Sequence, residues 1–355
     1  MKNIIKLKNG PMPEIEIILV SHNSHAHITE CLNSLKKQDY NKFNITLVDN
    51  NSSDDPIILA KKIFNKIKVI SLHRNEGFAK GNNIGIKEAY KNKRVKYVVC
   101  LNLDTSVKKD WLKNLVFTAE NFPEAGSVQS KVLLYNSPMK VNTIGNYINF
   151  LGVGICGGYL KFSKNFNSVR EIGYASGSSV LFRISALKKT GLFDEDYFMY
   201  KEDMDLGWRL KLKGYKNLLS PKSVVYHKYH FSKNPLKFYY IERNRLITIV
   251  KNYKIKTLLL LLPAFLFFEI GIVSYSIFKG FFIEKIRAYF DFIKLLPKTL
   301  SKRKTIQKSR NVSDKNVVEG FISKIEFEEV SNPLLDKVAN PLFELYWRLV
   351  KGIIK

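Results

Sequence analysis

Along the first hundred residues the apolar positions change period again and again, from short unbroken runs to helical spacing and back. EIEIILVSHNS (14–24) is mostly apolar through Val20 and closes in polar turn formers, which predicts a buried strand. AHITECLNSLKKQ (26–38) then sets Ile28, Cys31, Leu32 and Leu35 three and four apart, predicting a helix. The pair recurs as a strand and polar loop in FNITLVDNNSSDDP (43–56) with a helical pattern over 57–66. It recurs again as KVISLHRNEGFAKGNN (68–83), a strand and loop continued by a helix to about Tyr90, and VKYVVCLNLDTSV (95–107) supplies a fourth strand. Strands alternating with helices of about ten residues predict an α/β fold with a mostly parallel central sheet.

The period is lost over 126–175, where Gly145, Gly152, Gly154, Gly157 and Gly158 interrupt mixed aromatics, and loops with short strands are expected. It returns in ASGSSVLFRISALKKTGLFDED (175–196) and in YFMYKEDMDLGWRLKLKGYK (197–216). There Met204 and Trp208, and Leu206 and Leu210, stand four apart, and Gly214 suits a helix stop.

A third pattern begins near 234 with the basic, aromatic helix PLKFYYIERNRLITIVKNY. TLLLLLPAFLFFEIGIVSYSIF (257–278) follows, long enough to span a bilayer and charged only at Glu269. A mid-span carboxylate costs about 2.5–3.5 kcal/mol, and Pro263 invites a kink. A span, a re-entrant or interfacial segment, and a buried core helix all fit this stretch. Over 281–298, Phe282, Ile286, Tyr289, Ile293 and Leu296 share one helical face, while Glu284, Arg287, Asp291, Lys294 and Lys298 share the other. A basic cluster of Lys298, Lys302, Arg303, Lys304, Lys308 and Arg310 comes next, the pattern of a helix resting on an anionic, cytoplasmic leaflet. The expected division is 1–233 as a catalytic domain, with 14–107 and 108–233 as its halves, and 234–355 as a helical membrane-associating region.

Composition changes this picture in one respect. The 355 residues carry 58 Lys and Arg against 31 Asp and Glu, a formal charge of +27. Either a Lys-rich solvated surface or an anionic partner accounts for it. Nucleic acid is not that partner, since no Cys/His finger, basic heptad or RNP-like strand is present. The 3 cysteines, Cys31, Cys100 and Cys156, have neither disulfide-framework nor zinc spacing. The basic start MKNIIKLKNGPMPEIEIILVSHNS lacks the apolar core and cleavage site of a signal peptide, so the catalytic part is expected in the cytoplasm.

In an open α/β sheet, ligands bind beyond the carboxyl ends of the strands. One rim should therefore gather Ser21 and Asn23, then Asp49, Asn51 and Ser52, then Asn75, Gly77, Gly81 and Asn82, and finally Asn102 and Asp104. Such a set suits a nucleotide: Asp49 can accept from a base N–H, and amides of the Gly77–Gly81 turn can approach a phosphate. Taken singly, each loop is also ordinary turn chemistry. GFAKGNNIG departs from the GxGxxG pattern and follows the third strand, which argues against a dinucleotide oxidoreductase.

ILVSHNSHAHITECLNSLKKQDY, LVDNNSSDD, NEGFAKGNN, LNLDT and GLFDEDYFMYKEDMDLGWRLKLKGY occur in the order and at roughly the spacing of family 2 glycosyltransferases. Over about residues 14–250 the chain resembles, in particular, the rhamnosyltransferase-like members that build bacterial surface polysaccharides. The resemblance implies a GT-A fold, a nucleoside-diphosphate sugar donor, inversion at the anomeric carbon, and a lipid-linked or growing glycan acceptor at the cytoplasmic membrane face. It implies that Asp49 reads the base, that Phe78 lies with the donor-binding residues, and that Asp104 is the acid of the DxD position. Here the first Asp of that position is Asn102, and one carboxylate is a weaker site for Mn2+ or Mg2+ than two. His227 is the residue implied to complete the metal shell, with His230 second.

Asp203 of YKEDMDL maps onto the base, Glu202 would orient acceptor or base, and Asp205 would cap the helix. First-turn acids are also stabilised by the helix dipole without any catalysis, by about 0.3–1 kcal/mol. The aromatic approach DYFMY would wall a sugar, and Arg243 with Arg245 would hold the leaving diphosphate or snorkel toward a membrane. A nucleotide-sugar-binding scaffold that has lost turnover is the alternative that Asn102 leaves open.

Overall fold

A computed structural model describes residues 12–229, 234–326 and 333–355. The expected alternation folds as β1 (Glu14–Ser21), α1 (His25–Lys36), β2 (Phe43–Asp49), α2 (Pro56–Ile63), β3 (Lys68–Ser71), α3 (Gly77–Ala89) and β4 (Val95–Leu101). β1 lies parallel between β2 and β4, and β2 is parallel to β3, so their carboxyl ends share one edge. Ile15, Ile17 and Leu19 pack with Ile28, Leu32 and Leu35 of α1, whereas Ile18 packs with Ala79 and Ile86 of α3. Burial on both faces is why β1 reads as a run rather than an alternation.

Next come β5 (Thr105–Val107), α4 (Trp111–Asn121), β6 (Ala125–Leu134), β7 (Ser137–Thr143), β8 (Asn146–Ile148), β9 (Gly154–Cys156), β10 (Arg170–Glu171), β11 (Ser179–Arg183), α5 (Ile184–Thr190), α6 (Glu202–Leu212) and β12 (Lys216–His227). The sheet runs β10-β12-β6-β11-β4-β1-β2-β3, with β5 on β12 and β7 on β6. β11 is antiparallel to both β4 and β6, and joins the two halves.

The middle departs from the expectation of loops and short strands, because β6 is a central strand of 10 residues, buried almost throughout. Its polar residues hide it in the sequence. Ser130 is buried with its hydroxyl 2.8 Å from that of Ser179 and 3.0 Å from that of Ser223, and it accepts the Trp111 Nε1–H at 2.8 Å. Buried hydroxyls that satisfy one another cost little, so apolarity stops marking the strand.

The remaining helices are α7 (Pro235–Asn252), α8 (Ile255–Lys279), α9 (Phe282–Ser309), α10 (Asp314–Val318) and α11 (Asn340–Lys351). They are packed on the sheet half rather than tethered to it. Phe150 stacks on Trp347 with ring centroids 4.7 Å apart, and Trp208 meets Tyr253 and Phe321 edge-on. α8 is long and apolar enough to cross a membrane, but one side of it lies against protein, through Leu261, Ala264 and Phe268. Its Glu269 turns inward to Arg245 and Lys285, which also bind Glu242.

One expectation for α9, a basic cluster free to meet a leaflet, is corrected here, while part of its apolar face does point outward. Its inward face carries Lys285, Ala288, Thr299 and Arg303, while Phe282, Ile283, Phe290 and Ile293 are exposed. The buried partners Glu242 and Glu269 draw Lys285 inward and turn the apolar side out. The basic cluster is likewise largely paired within the protein. Lys298 and Lys302 bind Asp196, Lys302 also binds Asp194, Arg303 donates to the Val250 and Tyr253 carbonyls, and Arg310 pairs with Asp314 at 2.6 Å.

Candidate active site

The loops after β1, β2, β3 and β4 open on one rim. Ser21 and Asp49 are adjacent in register, as are Asp49 and Ser71. The Asp49 carboxylate accepts the Ser52 N–H at 3.3 Å, and Ser52 Oγ lies 3.4 Å from Ser21 Oγ and accepts the Asn23 N–H at 3.0 Å. Asn23 and Asn51 take left-handed backbone, φ 55° and 62°, which Asn tolerates. Asn50, absent from the sequence expectation, binds the next loop: its Oδ1 accepts the Glu76 N–H at 2.8 Å and its Nδ2 donates to Asn75 Oδ1 at 2.9 Å. Asn75 Oδ1 also accepts the Gly77 N–H at 2.9 Å.

The glycines of this region allow close packing. Gly77 opens α3 at φ +80°, and a Cβ there would lie 2.5 Å from the Phe198 carbonyl oxygen; at Gly81 it would lie 2.8 Å from Val20. Asn82 is buried, its Nδ2 donating to the Phe78 carbonyl at 3.0 Å. Phe78 lies against Gly177, and the Ala79 N–H donates to the Phe198 carbonyl at 3.2 Å, which stitches this loop to the approach to the acidic motif.

Asp104 and His227 come together across β5 and β12, with His227 Nε2 3.3 Å from Asp104 Oδ2. The His227 Nδ1–H donates to Asn142 Oδ1 at 2.8 Å, an orienting bond that leaves Nε2 facing the acid. Nothing in the sequence marked Asn142, because it comes from β7 and meets His227 only in the fold. Burial alone would raise the Asp104 carboxyl, but the His227 bond and the charges of His227 and His27 outweigh it and hold the group below its ordinary value. Asp104 Oδ1 and His27 Nδ1 are buried without hydrogen-bond partners. Among the described residues no group of three His, Cys, Asp or Glu closes around a metal. The pair and its orphaned oxygen therefore fit a divalent cation that takes its other ligands from substrate phosphate and water, as Mg2+ commonly does. His230 lies outside the described residues.

The acidic trio separates into different environments. Asp203 Oδ2 accepts the Gly177 N–H at 3.3 Å and Oδ1 the Met204 N–H at 2.7 Å. Burial raises the Asp203 carboxyl above its ordinary value despite these bonds. Glu202 is buried with Oε2 unpartnered, and burial and the adjacent Asp203 push its carboxyl well above the usual range. Asp205 is no cap. It is wholly buried and pairs with Arg209 at 2.7 Å and Lys251 at 2.9 Å, cations that outweigh burial and depress its carboxyl.

The two acidic positions share the rim. Ser178, next to the Gly177 that binds Asp203, accepts the Asn102 N–H at 3.0 Å through its carbonyl, and Asp104 is two residues further on.

The segment before Glu202 is strained and clamped. Phe198, Tyr200 and Lys201 have φ of 63°, 64° and 70°, conformations that cost about 1–3 kcal/mol each. α7 holds them. Asn244 Nδ2 donates to the carbonyls of Tyr197, Met199 and Tyr200 at 3.0, 2.9 and 2.8 Å. Arg243 donates to the Asp196 and Tyr197 carbonyls, and Arg245 is buried against Glu242 and Glu269, so neither arginine is placed for a diphosphate. Of the aromatic approach, Tyr197 is core, its hydroxyl 2.7 Å from Thr248 Oγ1, and Phe198 stacks on Tyr240; Tyr200 is exposed.

Residues 16–191 match the family model for glycosyl transferase family 2. The chain is 27% identical over 228 residues to the poly-beta-1,6-N-acetyl-D-glucosamine synthase of Staphylococcus epidermidis, covering 63% of this chain and 52% of that one. It is 28% identical over 217 residues to the synthase of the same description from Staphylococcus aureus, covering 60% and 49%. The chain thus spans about half the length of the curated relatives it matches. Among solved structures, it resembles GalNAc-T7 with UDP, GalNAc and Mn2+ at TM-score 0.57 and 15% identity, covering 70% of this chain and 49% of that one. It resembles S. aureus TarS 1-349 in complex with UDP at TM-score 0.52 and 21% identity, covering 96% and 90%.

Proposed function

Because the chain belongs to glycosyl transferase family 2 through residues 16–191 and has the GT-A fold, we propose that it moves a sugar, with inversion, from a nucleoside diphosphate to a glycan or lipid-linked acceptor at the cytoplasmic face of a membrane. The observation that supports this reading is the run of contacts from Asp203 through Gly177 and Ser178 to Asn102, two residues before the Asp104 that meets His227. Asp203 takes the acceptor hydroxyl proton while the oxygen bonds to the anomeric carbon. The bond from that carbon to the diphosphate oxygen breaks, and the nucleoside diphosphate leaves with the electron pair. Asp104 and His227 are the residues that would hold Mn2+ or Mg2+, which when bound offsets the charge gathering on the leaving diphosphate. Glu202, whose neutral form burial and Asp203 both favour, would orient the acceptor or Asp203. Asp49 and the Ser21–Ser52 loop pair fit a base and ribose on the rim.

UDP sugars are the first donors to test, since the TarS and GalNAc-T7 structures contain UDP; rhamnose donors belong in the same panel. With a turned-over donor, Asp203→Asn should lower kcat by about 10²–10⁴-fold while donor affinity stays within about twofold. Wild-type turnover in that variant would remove Asp203 as the base. Asn102 favours one other reading, a donor-binding scaffold without turnover. Saturable donor binding with no transfer or slow hydrolysis, with or without Mn2+, would establish it.

A further inference from the structure

We propose that the groove between α7, α8 and α9 holds the hydrocarbon chain of a membrane lipid with a phosphate headgroup, the carrier of the acceptor glycan; the role of carrier rests on the transferase reading above. The groove encloses about 330 Å3 and is lined by Leu246, Ile249 and Val250 of α7, Phe265 of α8, and Phe292 and Ile293 of α9. This is within the range of small-molecule sites. Tyr289 stands in the same wall with its hydroxyl bound to Glu269, so it offers the cavity its ring.

The occupant follows from what surrounds the groove. Ile293 is 61% exposed at its mouth, and the apolar surface continues over Phe290 on α9 and over Leu259, Leu262, Leu266 and Ile270 on α8. Charge lies inside instead, as the buried set Glu242, Arg245, Glu269 and Lys285. Ions inward and hydrocarbon outward is the reverse of a water-facing helix, and it is how helices meet lipid. Two exposed cations of α9, Arg287 and Lys294, flank its groove-lining residues in sequence and share one carboxylate, Asp291, at 3.8 and 3.5 Å. That excess of positive charge, on a chain of net +27, repels a second copy and attracts a phosphate.

The groove also has a physical link to the chemistry. Asn244, Thr248 and Lys251 lie on one face of α7 and hold the acidic loop and its supports, while Leu246, Ile249 and Val250 line the groove from the other side.

Titration of the full chain with farnesyl phosphate, with farnesol and inorganic phosphate as chain-only and headgroup-only arms, tests the assignment. Saturable binding of farnesyl phosphate is expected, weakened about tenfold by Ile293→Glu and by the groove-filling Val250→Trp. Phe290→Glu, on the same helix but outside the groove, should stay within about twofold of wild type. Equal binding by Ile293→Glu and wild type would overturn the proposal. So would equal losses at 290 and 293, or full displacement of the probe by inorganic phosphate. Donor binding and turnover are followed in the same samples. A chain that binds the probe and turns over no sugar loses the transferase reading alone, whereas one that transfers sugar without binding the probe loses the groove alone.

Discussion

At the scale of single residues, the site works by giving like side chains unlike surroundings. Glu202, Asp203 and Asp205 lie within one turn, yet burial raises the first two while Arg209 and Lys251 hold the third down against burial. A raised Asp203 must lose its proton to act as base. Transfer should therefore rise with pH through a value above the ordinary carboxylate range and fall away on the acid side. Burial and the neighbouring Asp203 both favour the neutral form of Glu202, so Glu202→Gln tests whether a permanently neutral group serves in its place. The acid limb of its pH–rate profile should overlay that of wild type; a shift to lower pH would mean that Glu202 is ionised beside Asp203. The ordered motifs point to Asp203 and Asp104, and the family resemblance to His227; each stands at or beside a strand or helix end. Asn142 and Asn244 were illegible because each matters only through partners 85 and at least 44 positions away.

At the scale of elements, α7 turns the reading of the acidic loop around. Its arginines look like phosphate ligands in a linear sequence, but Arg243 faces loop carbonyls and Arg245 a buried acid pair. The helix is a clamp that maintains left-handed backbone at Phe198, Tyr200 and Lys201. Asn244→Ala removes both amide hydrogens from three carbonyls, and Asn244→Asp keeps the shape while removing the same donors. Each should lower kcat toward about 10²-fold because the loop misplaces Asp203, with a smaller rise in donor KM through the Phe198 contact to the Gly77–Ala79 loop. Steady-state kinetics decide this, and equal changes in kcat and donor KM would make Asn244 a general support. β6 was hidden for a related reason: mutually bonded buried hydroxyls erase the apolar signature that periodicity reads.

At the scale of the whole molecule, the helical region is part of the fold. Its Trp347, Phe321 and Tyr253 complete the core around Phe150 and Trp208, and Lys302 reaches Asp194 and Asp196 beside the acidic loop. Much of the basic cluster is satisfied internally, so adhesion to a membrane should rest on exposed apolar residues. The triple variant Ile270→Ser, Phe278→Ser and Ile283→Ser should leave thermal stability near wild type and abolish co-sedimentation with phosphatidylglycerol vesicles. High salt should release the wild type only partly, whereas complete release by salt would return the attachment to surface charge. The clamp on the acidic loop has a geometric corollary. One rigid helix joins the acidic loop to the exposed apolar side; on the proposed reading that this side meets lipid and that Asp203 is the base, the base would stand at a set height above the bilayer. A hydroxyl close to its anchor and one at the tip of a long glycan cannot both be presented at that height, and acceptors would be sorted by reach before any sugar is recognised.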